Sequence, residues 1–139
     1  MSLHYFKQHF KTAYGGFLAT SGGFTFGTWA DMANYDLVVA LVTYSHVASG
    51  STLALTAYQA TDSSGGASKT VAGASDAVTP SATTVTGVLI AQVRGQDIDV
   101  ANGFRYVGFK TTSNDTTGYV AGVMIADRGR YSQATPPSL

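Results

Sequence analysis

Residues 37–59 read LVVALVTYSHVASGSTLALTAYQ, and two patterns within this stretch decide the fold. Leu37 to Val47 is a long apolar run rich in β-branched residues, the signature of a strand covered on both faces. Ser49-Gly50 breaks it. From Thr52 to Gln59 the chain alternates, with Leu53, Leu55 and Ala57 pointing one way and Thr52, Thr56 and Tyr58 the other. The short Gly-containing turn between the two runs predicts a hairpin.

The same period of two recurs on either side. Phe24, Phe26 and Thr28 alternate with Thr25, Gly27 and Trp29, before a turn-like run from Asp31 to Asp36. Thr61 to Gly66 has the composition of an exposed loop. A short strand is expected around Lys69 to Val71, followed by a soft loop to Pro80. Thr84 to Arg94 puts Val85, Leu89, Ala91 and Val93 on one face. Ile98-Asp99-Val100 reads as a short extended piece, and Asn102-Gly103 is the strongest turn dipeptide in the chain. Phe104 to Thr111 and Tyr119 to Ile125 close the series, parted by the polar loop Thr112 to Gly118. Seven or eight short strands with no strand–helix alternation predict an all-β fold, an antiparallel β-sandwich of jelly-roll type. The expected organisation is an N-terminal arm over residues 1–23, a sandwich over 24–131 and a loosely held tail over 132–139.

Composition narrows the function classes. A chain of 139 residues makes one domain with a proper core. There is no cysteine, which rules out disulfides and thiol chemistry and fits synthesis in a reducing cytoplasm. Only 12% of residues are charged and the net charge is zero, where about 25% charged is usual. With a mean hydropathy of +0.10, part of the surface is expected to be covered by copies of the chain or by a partner. The bland alternative is a monomer with a Thr/Ser-rich surface. Every acidic residue is Asp and Glu is absent, a choice that favours turns and caps over helix interiors. The neutral balance offers no footprint for nucleic acid. No apolar run approaches the roughly 20 residues of a membrane helix, and Met1 to Phe10 lacks the apolar core of a signal peptide.

The arm is dense in aromatics: Tyr5, Phe6, Phe10, Tyr14 and Phe17, interrupted by Gly15-Gly16 and Gly22-Gly23. Tyr5, Phe6, His9 and Phe10 can share one face of a short helix that is too short to stand alone in water. Such a segment docks on its own domain or on a neighbour, and its aromatics are the candidate partner-binding residues.

Candidate catalytic residues fail on geometry. His4 and His9 stand five apart, which does not align two imidazoles on a helix face. Ser45 and His46 are adjacent on a strand and are expected to point to opposite faces, which denies them a nucleophile–base contact. Asp97 and Asp99 are the closely spaced carboxylates, with a glycosidase pair or a shared cation as the sharp readings. The structural reading is stronger: both flank a tight turn and bond to backbone amides or to Arg94 and Arg105. No Gly-rich segment has phosphate-loop spacing, and the sequon Asn114-Asp115-Thr116 carries no weight without a secretory signal. No catalytic, cofactor or metal residues are therefore assigned. Trp29, Tyr44, Tyr58, Tyr119 and Tyr131 are able to stack on sugar rings, although core packing is the commoner role on strands.

The run from Arg94 through Asp97-Ile98-Asp99-Val100-Ala101-Asn102-Gly103-Phe104-Arg105-Tyr106-Val107 resembles a recurrent pattern in small virion proteins encoded beside the capsid genes of tailed bacteriophages. Asp31-Met32-Ala33-Asn34-Tyr35, Gln59-Ala60-Thr61-Asp62 with Gly65-Gly66, and the late pair Arg130-Tyr131 are similar to further elements of those proteins, in the same order. The resemblance spans Trp29 to Tyr131 and leaves out the arm before Phe24. It implies a capsid decoration or cement protein, made in the host cytoplasm, that clamps the head from outside by binding the major capsid protein; a homotrimer is expected because jelly-roll domains often pack around threefold axes. The alternative is a carbohydrate- or receptor-binding sandwich of a tail or head fibre.

Overall fold

The computed structural model describes residues 10–19, 23–82 and 85–129. It holds eight strands: β1 Phe10–Ala19, β2 Ala30–Asp31, β3 Tyr35–Ser45, β4 Leu53–Ala60, β5 Lys69–Val78, β6 Gly87–Arg94, β7 Tyr106–Ser113 and β8 Tyr119–Gly129. They form two four-stranded sheets, ordered β1-β8-β3-β6 and β2-β7-β4-β5, and every pair is antiparallel. Each connection crosses from one sheet to the other except β4 to β5, the strand order of a jelly roll. Between β6 and β7 the expected extended piece is replaced by two 3-10 turns, Gly95–Asp97 and Val100–Asn102, and Gly103 takes a left-handed φ of 82° to leave the second.

The predicted β3–β4 hairpin is not formed. β3 pairs with β6 and β8, whereas β4 pairs with β5 and β7. Both strands are apolar on one side, and those sides face each other across the core. Val38, Ala40 and Val42 look across at Leu53, Leu55 and Ala57, all with no exposed surface. The intervening loop turns the corner with His46 at φ 56° and Gly50 at φ 79°. Alternation tells which side of a strand is buried but not which strand lies beside it. The real hairpin joins β4 to β5 across residues 61–68, where Asp62 accepts the Ser64 amide at 2.7 Å and the Gly66 amide at 3.0 Å. β5 is longer than the expected Lys69–Val71 because the ladder slips between Thr56 and Tyr58 and Gly73, at φ 74°, lets the strand continue past the slip.

The core packs Phe26, Tyr35, Leu53, Leu55, Phe109 and Met124 at near-zero exposure. Phe26 lies 5.1 Å from the Phe24 ring and meets Phe109 edge-on at 6.2 Å, favourable aromatic geometries. These rings exploit Gly122 on β8, where a Cβ would come within 2.6 Å of Phe26 and 2.9 Å of Phe24. Phe24 and Phe26 point inward as their alternation predicts. Their segment joins the second sheet by a single bridge, Thr25 to Lys110, rather than a continuous ladder.

Phe10–Ala19, within the segment read as an arm, pairs with β8 from Phe10–Asp127 to Ala19–Tyr119 as the edge strand of the first sheet. The ladder slips between Tyr14 and Gly16, so Gly15-Gly16 marks a bulge rather than a break in the strand.

Candidate functional site

The two sheets differ on their outer sides. On β3 the residues facing away from the core are Leu37, Val39 and Leu41, none of them fully covered. Register places Leu41 between Ile90 of β6 and Val123 of β8, and Val39 between Gln92 and Ile125. Val88 and Ile90 are 52% and 51% exposed. Among the described residues formal charge lies at the end row, where Leu37 stands between Arg94 and Asp127, and at the β6 edge, where the Asp76 carboxylate accepts the Ile90 amide at 3.0 Å. Three strands at about 4.8 Å spacing and seven residues of β3 outline roughly 300 Å², the size at which an apolar patch on a monomer is often functional. Leu37 to Val47 reads in sequence as a strand covered on both faces; among the described residues one face is fully covered and the other only in part.

Of the candidate partner-binding residues, Phe10, Tyr14 and Phe17 fall on β1, in register with Asp127, Val123 and Ala121 of this same sheet. Tyr5 and Phe6 lie outside the described residues, as do His4, His9 and Tyr131.

The outer side of the second sheet is polar. Thr56 lies between Lys110 and Ser75, and Tyr58 between Gly108 and Thr70. Of the aromatics able to stack on sugars, Trp29 and Tyr58 line one groove here, Tyr44 is buried in the core, and Tyr119 is 47% exposed beside the apolar face.

At one end of the sandwich three of the sequence elements behind the virion-protein resemblance come together, around Asp31, Gln59 and Arg94–Val107; Arg130-Tyr131 lies outside the described residues. Arg105 pairs with both carboxylate oxygens of Asp31. Its backbone amide donates to Ala60 at 3.0 Å and its carbonyl accepts the Met32 amide at 3.0 Å. The Asp99 amide donates to Gln59 Oε1 at 2.7 Å, while the Asp99 carboxylate takes Lys69 Nζ at 2.6 Å and the Asn102 side chain. Asp97 accepts the Arg94 amide at 2.7 Å, the structural role expected of it; Asp99 chooses Lys69 over either arginine. Burial raises the Asp31 carboxyl, but the Arg105 hydrogen bonds, the Ala33 amide and the Arg105 charge outweigh it and hold the group below its ordinary value. Lys69, with Asn102, lowers Asp99 likewise. A cavity of about 290 Å³ opens here between Met32, Ile98, Val100 and Phe104. The polar groups around it are spent on one another, so the elements act as a clasp that closes the end of the barrel.

Ser45 and His46 depart from expectation. The Ser45 hydroxyl and His46 Nδ1 lie 2.6 Å apart, because the positive φ of His46 ends the strand alternation that would have separated them. His46 also meets the exposed Tyr119 ring edge-on at 6.3 Å. The contact is solvent-exposed, and a hydrolase dyad needs in addition a third group to orient the imidazole and an oxyanion site.

No protein-family model matches the chain, and no curated protein matches it. Its fold is shared with a chain of the T13 infectious bursal disease virus particle, at a TM-score of 0.56 and 12% identity over 91% of this chain and 33% of that one. A chain of T=1 particles derived from the same virus gives 0.53 and 12%, with the same coverage. The xylan-binding module CBM15 gives 0.46 and 15%, over 87% of this chain and 92% of the module. The chain thus spans about a third of the length of the viral proteins. The protein is an antiparallel two-sheet β-sandwich, an architecture found in virus-particle chains.

Proposed function

We propose that this protein is a structural component of a virus particle: a capsid decoration protein of a tailed bacteriophage, active as a homotrimer on the outside of the head. The observation that carries the reading is the outer face of the first sheet, which is apolar and partly open among the described residues. Interfaces between copies of one chain are more apolar than transient ones, and among the described residues the charges at this face, Arg94, Asp127 and Asp76, stay at its end row and its β6 edge. Neighbouring copies are therefore its occupants. Tyr5, Phe6, Phe10, Tyr14 and Phe17 are the aromatic anchors for the major capsid protein, the last three offered from the sheet-edge strand β1, and the trimer supplies multivalency. The virus-particle chains of like fold support the reading, and so does the clasp, which uses polar motif residues for rigidity and leaves the faces to do the binding. The role needs no chemistry.

Sedimentation velocity on the full chain and on Ile90→Glu tests it. The wild type is expected to sediment as a trimer and the variant as a folded monomer, since a buried carboxylate without a partner is costly. A wild-type monomer at all concentrations overturns self-assembly. Quantifying the chain against the major capsid protein in purified particles tests the decoration role: hundreds of copies uphold it, and a few copies or none overturn it.

A further inference from the structure

The groove on the polar side of the second sheet has a construction that packing alone does not call for. Its floor is Gly108 on β7, and one wall is the Trp29 indole. A Cβ at Gly108 would lie 2.8 Å from the indole, and one at Gly65 would lie 2.6 Å from its far edge. Two bare backbones therefore lie close against the ring at its two edges, and Gly65 needs its glycine twice over because its φ is +86°. The indole is fixed and yet only partly buried. Tyr58 stands in direct register with Gly108 and lines the same groove. Thr25, Ser68 and Lys110 complete the rim with two hydroxyls and an ammonium group. Lys110 has no carboxylate partner among the described residues. The space is about 230 Å³, below the roughly 300 Å³ at which drug-sized pockets begin.

We propose that this groove binds one pyranose ring of a glycan, with a ring carboxylate of the uronic or sialic acid kind set against Lys110. The apolar C–H face of a pyranose lies on the preorganised indole, a contact that spends little entropy because the ring is already fixed. The hydroxyls of Thr25, Ser68 and Tyr58 meet the polar rim of the sugar. A nucleobase fits less well, since a single ammonium in a chain of zero net charge gives little hold on a phosphate backbone. The site lies on the opposite side of the sandwich from the apolar face, so both can be occupied at once.

Trp29 is the chain's one tryptophan, so intrinsic fluorescence reports on this groove without labelling. The full chain is titrated at fixed ionic strength with glucuronate and N-acetylneuraminate oligosaccharides, with glucose oligomers, and with mononucleotides. The expected result is a saturable emission change in the millimolar range with an acidic glycan, at least about tenfold weaker with the neutral one. Lys110→Gln should abolish that preference while keeping the weak neutral response, and Tyr58→Ala should remove both. An emission that no sugar changes overturns the site. So does a response unaltered in both variants, or one that nucleotides alone produce.

Discussion

The outer faces of the two sheets, each of four strands around one core, have been left in different states. The second sheet ends in hydroxyls, a lysine and the rings of Trp29 and Tyr58, a surface that water largely satisfies. The first sheet ends in Leu37, Val39, Leu41, Val88, Ile90, Val123 and Ile125, which water does not satisfy. The difference teaches that one core can carry two unlike surfaces: among the described residues the outer side of the second sheet is polar and that of the first is apolar.

The sharpest way to break that contrast is a matched pair of truncations. Leu55→Ala, on the inner side of the second sheet, should cost about 3 kcal/mol at any protein concentration. Leu41→Ala removes the same atoms from the open face. At high dilution it should cost less than about 1 kcal/mol, as surface changes do, and the loss should grow as concentration drives the wild type to assemble. Urea unfolding at two concentrations measures both. A Leu41→Ala cost that ignores concentration would make the two outer faces alike.

A smaller effect probes what lies directly beneath the open face. Gly122→Ala pushes a methyl into the Phe24 and Phe26 rings and should destabilise the fold by about 2 kcal/mol, read as a lowered thermal midpoint in the monomeric Ile90→Glu background. No change there would mean the rings move aside, and that the first sheet is as soft inside as it is bare outside.

Acid should act on one region and spare the other. Asp31 and Asp99 are held below their ordinary values in the clasp, and the Gly66 and Ser64 amides lower Asp62. A carboxylate with a folded pKa below its unfolded value of about 3.9 adds stability that is complete above that pH and is lost as pH falls through the folded value. Stability should therefore drop below about pH 4, and Asp31→Asn should remove about 1 kcal/mol or less of it, since Arg105 is half-exposed. Self-association through the apolar face should stay level across neutral pH. A dissociation constant that follows pH there would place titrating groups in the interface.

The sandwich was readable from the strands that alternate: Leu53-Leu55-Ala57 and Leu89-Ala91-Val93 point inward as their period of two demands. The partner of each strand was not readable, because alternation carries no record of lateral neighbours. That is why β3 and β4 look like a hairpin in sequence and lie in opposite sheets in space. β1 was hidden by its glycines, which signal a break by composition and serve as a bulge in the ladder. The open face was half legible, since Leu37 to Val47 announces two covered sides without naming the cover. The Trp29 groove was not legible as a unit. Gly65 and Gly108 lie far from Trp29 along the chain, and only the fold brings them against its ring.

Phe10 pairs with Asp127 and Tyr35 with Gly129, so β1 begins and β8 finishes at the same end of neighbouring antiparallel strands. This has a mechanical consequence. A force pulling those two points apart acts across the strands and opens the β1–β8 ladder one rung at a time, like a zip. The same force spread over the flat of a sheet would have to shear many rungs together. Tension led in through those two ends alone would peel the edge of this sandwich at low force, whereas load entering through a face is shared by a whole sheet.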